Sequence, residues 1–216
     1  MKIAVLGTGM VGETLGSKLI QLGHEVIMGS RSKNNDKASA WVQKSGALAS
    51  QGSFADAAAA GELVLNCTLG SASIEALTQA GEDNLAGKIL WDLSNPLDFS
   101  KGMPPSLFVS NTDSLGEQIQ RAFPRTRVIK TLNTINCNLM VDAASLPGDH
   151  TLFLCGNDAE AKITSRDLIS TWFGWRDIID LGDITASRAT ESYLHLWLRL
   201  WGALKTPQFN LHIVRR

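Results

Sequence analysis

The sequence predicts an α/β fold, a doubly wound and mainly parallel sheet with a small C-terminal helical extension. Three observations carry that expectation. Through the first two thirds of the chain, short apolar runs of strand length alternate with longer stretches of helical periodicity. A glycine-rich turn joins the first strand to the first helix. The 216 residues are 44% hydrophobic and 19% charged, which permits a sizeable core and argues against extensive disorder.

In chain order, residues 2–6 read as a buried strand. Residues 11–22 read as a helix with Val11, Leu15, Leu19 and Leu22 on one face, stopped by Gly23 in the manner of a C-terminal cap. A strand at 24–28 ends in Gly29-Ser30-Arg31, and helices follow at 38–44 and, after a Ser53 cap, at 54–60. Residues 63–67 form the next strand, and Ser71 caps a helix to about Ala80. Strands at 89–92 and 128–131 flank a Pro- and Ser-rich loop (94–110) and a helix at 114–122. After Pro147-Gly148 come a strand at 152–155, a helix at 158–171, a strand at 178–181 and a last amphipathic helix at 189–204. Without a repeat or a separating linker, the reading is one domain over residues 1–182 with a helical extension over 183–216, packed on it and at a dimer interface.

Composition excludes several classes. A net charge of −1 argues against a nucleic-acid coat. No apolar run approaches the ~20 residues of a membrane span. The apolar start, Ile3 to Leu6, breaks at once into Gly7-Thr8-Gly9 without a signal-peptide cleavage site. Cys67, Cys137 and Cys155 are odd in number with no paired spacing, as expected of small core residues in a reduced, cytoplasmic protein. His24, His150, His195 and His212 show no metal-ligand spacing, so no metal site is expected.

Gly7-Thr8-Gly9-Met10-Val11-Gly12 is a G-x-G-x-x-G turn between a strand and a helix, the context of a Rossmann-type dinucleotide site. Gly7 allows the tight turn, Gly9 lets a pyrophosphate approach the backbone, and Gly12 lets helix and strand pack closely. The helix N-terminus then offers unpaired N–H groups to the phosphates. At the end of the second strand, where an NAD site carries Asp or Glu, stands Gly29-Ser30-Arg31-Ser32-Lys33, with no carboxylate before Asp36. Arg31 can fork onto a 2′-phosphate, Ser30 can donate its hydroxyl and Lys33 can add a point charge, so the expected cofactor is NADP(H).

These features join others: Asp92-Leu93-Ser94-Asn95-Pro96-Leu97, Lys130-Thr131-Leu132-Asn133-Thr134, and the run from Leu152 through Gly156-Asn157-Asp158 to Lys162. Together, over nearly the whole chain, they resemble the NADPH-dependent coenzyme F420 reductase-like family, small Rossmann NADP oxidoreductases that include dinucleotide-binding enzymes known only from sequence. The resemblance implies hydride transfer between NADP(H) and a deazaflavin, with a flavin as a further candidate acceptor. It implies phosphate contacts from Gly7, Thr8, Gly9, Met10, Val11 and Gly12, and 2′-phosphate contacts from Ser30, Arg31 and Lys33. Thr68, Leu69 and Gly70 would lie along the cofactor, Asn95 and Pro96 near the nicotinamide, and Asn133 and Thr134 at the substrate. It also supports a homodimer.

Hydride transfer between two bound cofactors requires positioning in an apolar cleft more than acid–base chemistry. No catalytic residue is singled out. A carbonyl or imine substrate would need a proton donor, for which Tyr193 and His195 are nearest, although their apolar surroundings favour packing. The segment from Tyr193 to Trp201 is apolar nearly all round, as in a buried helix, with one face free for a partner subunit. Two other functions stay open. One is an NADPH-dependent reductase of a small imine or carbonyl, for which little helical substrate domain follows the sheet. The other is a non-enzymatic NADP(H) redox sensor.

Overall fold

The computed structural model describes residues 1–215. Its main sheet is eight-stranded, in the order β10-β9-β8-β5-β4-β1-β2-β3. The strands are β1 (Lys2–Leu6), β2 (Glu25–Ser30), β3 (Ala49–Ser53), β4 (Leu63–Asn66), β5 (Ile89–Asp92), β8 (Arg127–Thr131), β9 (Thr151–Gly156) and β10 (Asp177–Asp180). A separate two-stranded hairpin, β6 (Leu97–Asp98) with β7 (Ser106–Leu107), fills part of the predicted 94–110 loop. Every pair in the main sheet is parallel except β8 with β9. The chain begins centrally at β1, moves outward through β2 and β3, then crosses back to β4. Its topological switch point therefore lies between β1 and β4, where ligands of open α/β sheets bind.

Period-2 alternation along β1 builds the two layers. Ile3 and Val5 face a core shared with Leu15 and Leu19 of α1 (Met10–Gln21), Trp41 of α2 (Asp36–Ser45), and Ile169 and Phe173 of α8 (Ala159–Phe173). Ala4 and Leu6 face the opposite core with Phe54 and Ala57 of α3 (Phe54–Ala60), Leu77 of α4 (Gly70–Ala80), Leu85 of α5 (Glu82–Leu85) and Ile119 of α6 (Leu115–Ala122). Trp91 is wholly buried in the first core, and its indole N–H donates to the Ser165 hydroxyl at 2.8 Å, so its one polar group is satisfied. A short α7 (Cys137–Met140) precedes β9. The chain ends in α9 (Ser187–Ser192), α10 (Leu194–Leu204) and a tail whose Leu211 carbonyl accepts from the Thr151 N–H at 2.8 Å.

Ser53 caps α3 as expected, in a reciprocal capping box with Asp56. Ser71 does not cap α4, which starts one residue earlier, at Gly70, with Leu69 in the cap position. Strand β3 has no counterpart in the sequence reading, because Ala-Ser-Gln-Gly-Ser carries no apolar alternation and pairs at the sheet edge through its backbone. The expected last helix is two helices that meet at Tyr193. Its apolar segment is packed on one side only. Leu194 is buried, but Leu196, Trp201 and Leu204 are 51%, 41% and 52% exposed, because only one side of α10 has a neighbour among the described residues. His195 is exposed rather than packed. Cys137 and Cys155 are core residues, whereas Cys67 is half-buried. Trp175 is buried and Trp172 half-buried.

Candidate functional site

Three glycines of the first turn are present for different reasons. Gly7 has a φ of +119°, and a Cβ there would lie 2.7 Å from the Cys67 carbonyl oxygen. A Cβ on Gly12 would overlap the Gly7 carbonyl oxygen, so its absence lets α1 sit against β1. Both positions are explained by packing within the chain. Gly9 is not: a Cβ there would find no protein atom within 4 Å. It caps α1 without a side-chain hydrogen bond, and the N–H groups of the first turn have no partners within the helix. The open volume over Gly9 is thus a cradle with a partial positive charge at its base, which fits a pyrophosphate.

That cradle opens into a groove of about 520 Å³ across the C-terminal ends of β1, β2 and β4. Gly7, Thr8, Gly9, Met10 and Val11 line one wall, Ser30 and Arg31 the β2 end, and Cys67, Thr68 and Leu69 the β4 end. Met10 and Leu69, each 73% exposed, leave apolar surface at its rim. Arg31 stands on the groove with no carboxylate partner among the described residues. The Ser30 hydroxyl donates to the Ser32 carbonyl at 2.6 Å and so shapes the loop. Lys33 does not line the groove. It lies 3.6 Å from Asp56, whose carboxyl is held below its usual value chiefly by the Ser53 hydroxyl and N–H, with a smaller contribution from Lys33. Lys37 takes a place on the wall instead, beside Asn35, which caps α2 by accepting from the Ala38 N–H. The sequence reading passed over Lys37; its position in the first turn of the helix that follows the basic loop was the available signal.

The ends of β4, β5 and β8 form a second, sealed region. Gly70 is a packing glycine, since a Cβ there would overlap the Asn95 carbonyl oxygen. Asn95 donates to the Asn133 carbonyl at 2.8 Å, and the Asn133 amide donates back to Asn95 Oδ1 at 2.9 Å. This reciprocal pair joins the turns after β5 and β8. Asn133 and Thr134 are buried, as is Pro96. Leu132, fully buried, holds φ of +61°, a left-handed conformation that a leucine adopts only under constraint.

Beneath these turns lies a charged cluster that the sequence reading missed. Lys130 Nζ is 2.8 Å from Asp92 Oδ2, 2.8 Å from Glu191 Oε1 and 2.5 Å from the Ser94 carbonyl. Lys130 and Asp92 are wholly buried and Glu191 is 2% exposed. Burial alone would lower the lysine's affinity for its proton. The two carboxylates outweigh that and hold the ammonium above its ordinary value. The signal was present: Ile-Leu-Trp-Asp and Val-Ile-Lys-Thr each place a charge in an otherwise fully buried strand. Desolvation, and secondarily the Asp92 charge, raise the half-buried Cys67 thiol above its ordinary value. The described residues contain no cluster of side chains able to hold a metal ion, and no helix long and apolar enough to cross a membrane.

Residues 2–96 match the protein family described as NADP oxidoreductase, coenzyme F420-dependent. A crystal structure from Arthrobacter sp. FB24, provisionally assigned as an F420-dependent NADP reductase, has 53% sequence identity and a TM-score of 0.94, with all of both chains covered. The F420-dependent NADP reductase of Methanocaldococcus jannaschii is 29% identical over 211 residues, 93% of this chain and 92% of that protein. Metalloreductase STEAP3 of Rattus norvegicus is 28% identical over 206 residues; this chain spans only 38% of its length.

Proposed function

The chain belongs to the F420-dependent NADP oxidoreductase family, and on that premise we propose that it transfers hydride between NADPH and a deazaflavin, a flavin or a similar acceptor. One observation carries the cofactor half of this reading. The open space over Gly9, at the N-terminus of α1, lies beside an Arg31 that has no carboxylate partner among the described residues. In the bound state Gly7 to Gly12 hold the pyrophosphate, with the α1 N–H groups as donors. Arg31 forks onto the 2′-phosphate, Lys37 faces it across the loop, and Ser30 and Lys33 shape and charge that loop. Thr68, Leu69 and Gly70 border the cofactor's path over β4. Asn95 and Pro96 lie under the nicotinamide, and Asn133 and Thr134 form the floor beneath the acceptor.

The bound cofactor supplies the hydride itself; the protein aligns donor and acceptor and excludes water. The groove is lined by neither histidine nor tyrosine; its titratable side chains are Arg31, Lys37, Cys67 and Glu75. An acceptor that draws its balancing proton from solvent needs no donor from the protein, whereas a carbonyl needs one at the reacting carbon.

Residues 183–216 are read as an extension packed on a domain formed by 1–182. Glu191 supports this by accepting from the Leu115 and Gly116 N–H groups at 2.8 and 2.9 Å. The exposed apolar side of α10 supports a homodimer, and the three free cysteines support a cytoplasmic setting.

The test is anaerobic NADPH oxidation with a deazaflavin, FMN and a ferric chelate as parallel acceptors, and NADH as control. NADPH-specific turnover with the deazaflavin or FMN is expected. Turnover with the ferric chelate alone would move the function to metal reduction, and tight NADPH binding without turnover would make the protein a sensor.

A further inference from the structure

We infer that Lys130, held between Asp92 and Glu191, is the positioning residue for the nicotinamide half of the site. The inference rests on the cofactor reading above. The sheet order sets the direction: β2 lies on one side of β1, and β4, β5 and β8 lie on the other. A dinucleotide with its pyrophosphate over Gly9 and its 2′-phosphate at Arg31 therefore extends its nicotinamide across the ends of β4, β5 and β8.

One ammonium ties those ends together. Its three contacts, to Asp92, Glu191 and the Ser94 carbonyl, match the three protons it can donate. Asp92 Oδ1 accepts in turn from the Ser94 N–H and hydroxyl at 3.2 and 2.6 Å, and from Asn66 Nδ2 at 2.9 Å. Asn66 Oδ1 accepts from the Thr68 hydroxyl at 2.7 Å. Glu191 extends the network to the N-terminus of α6 through Leu115 and Gly116. The turn after β4, the turn after β5 and the C-terminal helices thus share one buried hub. The strained Leu132 and the Asn95–Asn133 pair complete the floor two and three residues beyond it.

A buried ion triad contributes little net stability over an apolar core of the same shape, so its main consequence is geometric. It fixes the Ser94–Asn95 backbone, and through Asn95 the turn at Asn133, over which the nicotinamide would lie. Lys130 touches no reacting atom in this scheme; it acts through the turns.

The experiment separates the two halves of the cofactor. The affinities of 2′,5′-ADP, which carries only the adenosine half, and of NADPH are measured by calorimetry, together with the rise in NADPH fluorescence on binding. They are compared in the wild-type protein and in Glu191→Gln, which keeps the side chain's shape and removes its charge. Wild-type protein is expected to bind both ligands. The variant is expected to bind 2′,5′-ADP within about twofold of wild type, to bind NADPH about tenfold more weakly, and to lose most of the fluorescence rise. Ser94→Ala keeps all three charged groups and loses one hydrogen bond to Asp92. It should shift NADPH in the same direction by a smaller factor, and it carries the test if Glu191→Gln does not fold. Unchanged NADPH affinity and fluorescence, or equal losses for both ligands, overturns the positioning role and leaves the cofactor reading intact. Failure of the wild-type protein to bind 2′,5′-ADP overturns the cofactor reading itself, and the inference with it.

Discussion

At the end of β2 the groove is bounded by Arg31 in an exposed loop and Lys37 at the start of α2, both standing in solvent, while the ends of β4, β5 and β8 rest on groups closed off from water. The first region has charge to offer a ligand and few internal bonds to hold it. The second has all its charge engaged internally, with Asp92, Lys130 and Glu191 satisfying one another. Recognition by exposed charges would weaken with salt, and single contacts could be removed separately. The buried half acts by fixing geometry, and a change there spreads through shared partners. On the proposed reading, the exposed half would select the ligand and the buried half would orient it.

The turn between the halves is the place where a single change should disable both. Gly9→Val fills the cradle with a side chain whose Cβ meets no protein atom within 4 Å, so the fold is expected to survive while NADPH and NADH affinity fall by roughly a hundredfold or more. Circular dichroism and titration by fluorescence quantify the two effects. A folded variant with normal affinity would remove the pyrophosphate site from the turn.

A smaller, one-sided effect is expected from Arg31→Ala. Loss of a charge-assisted bond of ~1.5–3 kcal/mol weakens NADPH about tenfold or more and leaves NADH nearly unchanged. Raising the salt concentration should narrow the gap between wild type and variant for NADPH. Equal losses for the two cofactors would sink the 2′-phosphate assignment and, with it, the contrast between a selecting half and an orienting half.

The smallest effect belongs to a site outside both halves. The Arg121 guanidinium beside Asp113 is the main reason its carboxyl is held down at about 2, below its ordinary 3.8. A depressed carboxyl stabilises the fold above its unfolded value, and that contribution is lost as pH falls from about 4 towards 2. Asp113→Asn is therefore expected to lower the melting temperature slightly at neutral pH, to converge with wild type near pH 2, and to leave NADPH affinity unaltered. A changed affinity would mean that the α6 region is coupled to the groove more widely than through Glu191.

Much of the exposed half was legible in the sequence, because its determinants are local. Gly7 to Gly12 and Ser30 to Lys33 are contiguous stretches at strand ends, and their meaning follows from that context. Which basic side chains line the groove was less legible: Lys37, in the first turn of α2, borders it, while Lys33 lies 3.6 Å from Asp56. The edge strand β3 was illegible, since backbone pairing with β2 leaves no apolar pattern to read.

By itself the sequence determined the alternating strands and helices, the glycine turn and the basic end of β2, since each depends on residues close along the chain. The tertiary structure alone decided the hub. Asp92 and Lys130 are 38 residues apart, and Glu191 reaches Leu115 across 76. A charge in a buried strand signals that a partner is required, but only the order of the strands shows which one lies within 3 Å of it. Which side of α10 packs on the domain was decided the same way, by the neighbours the fold brings to it.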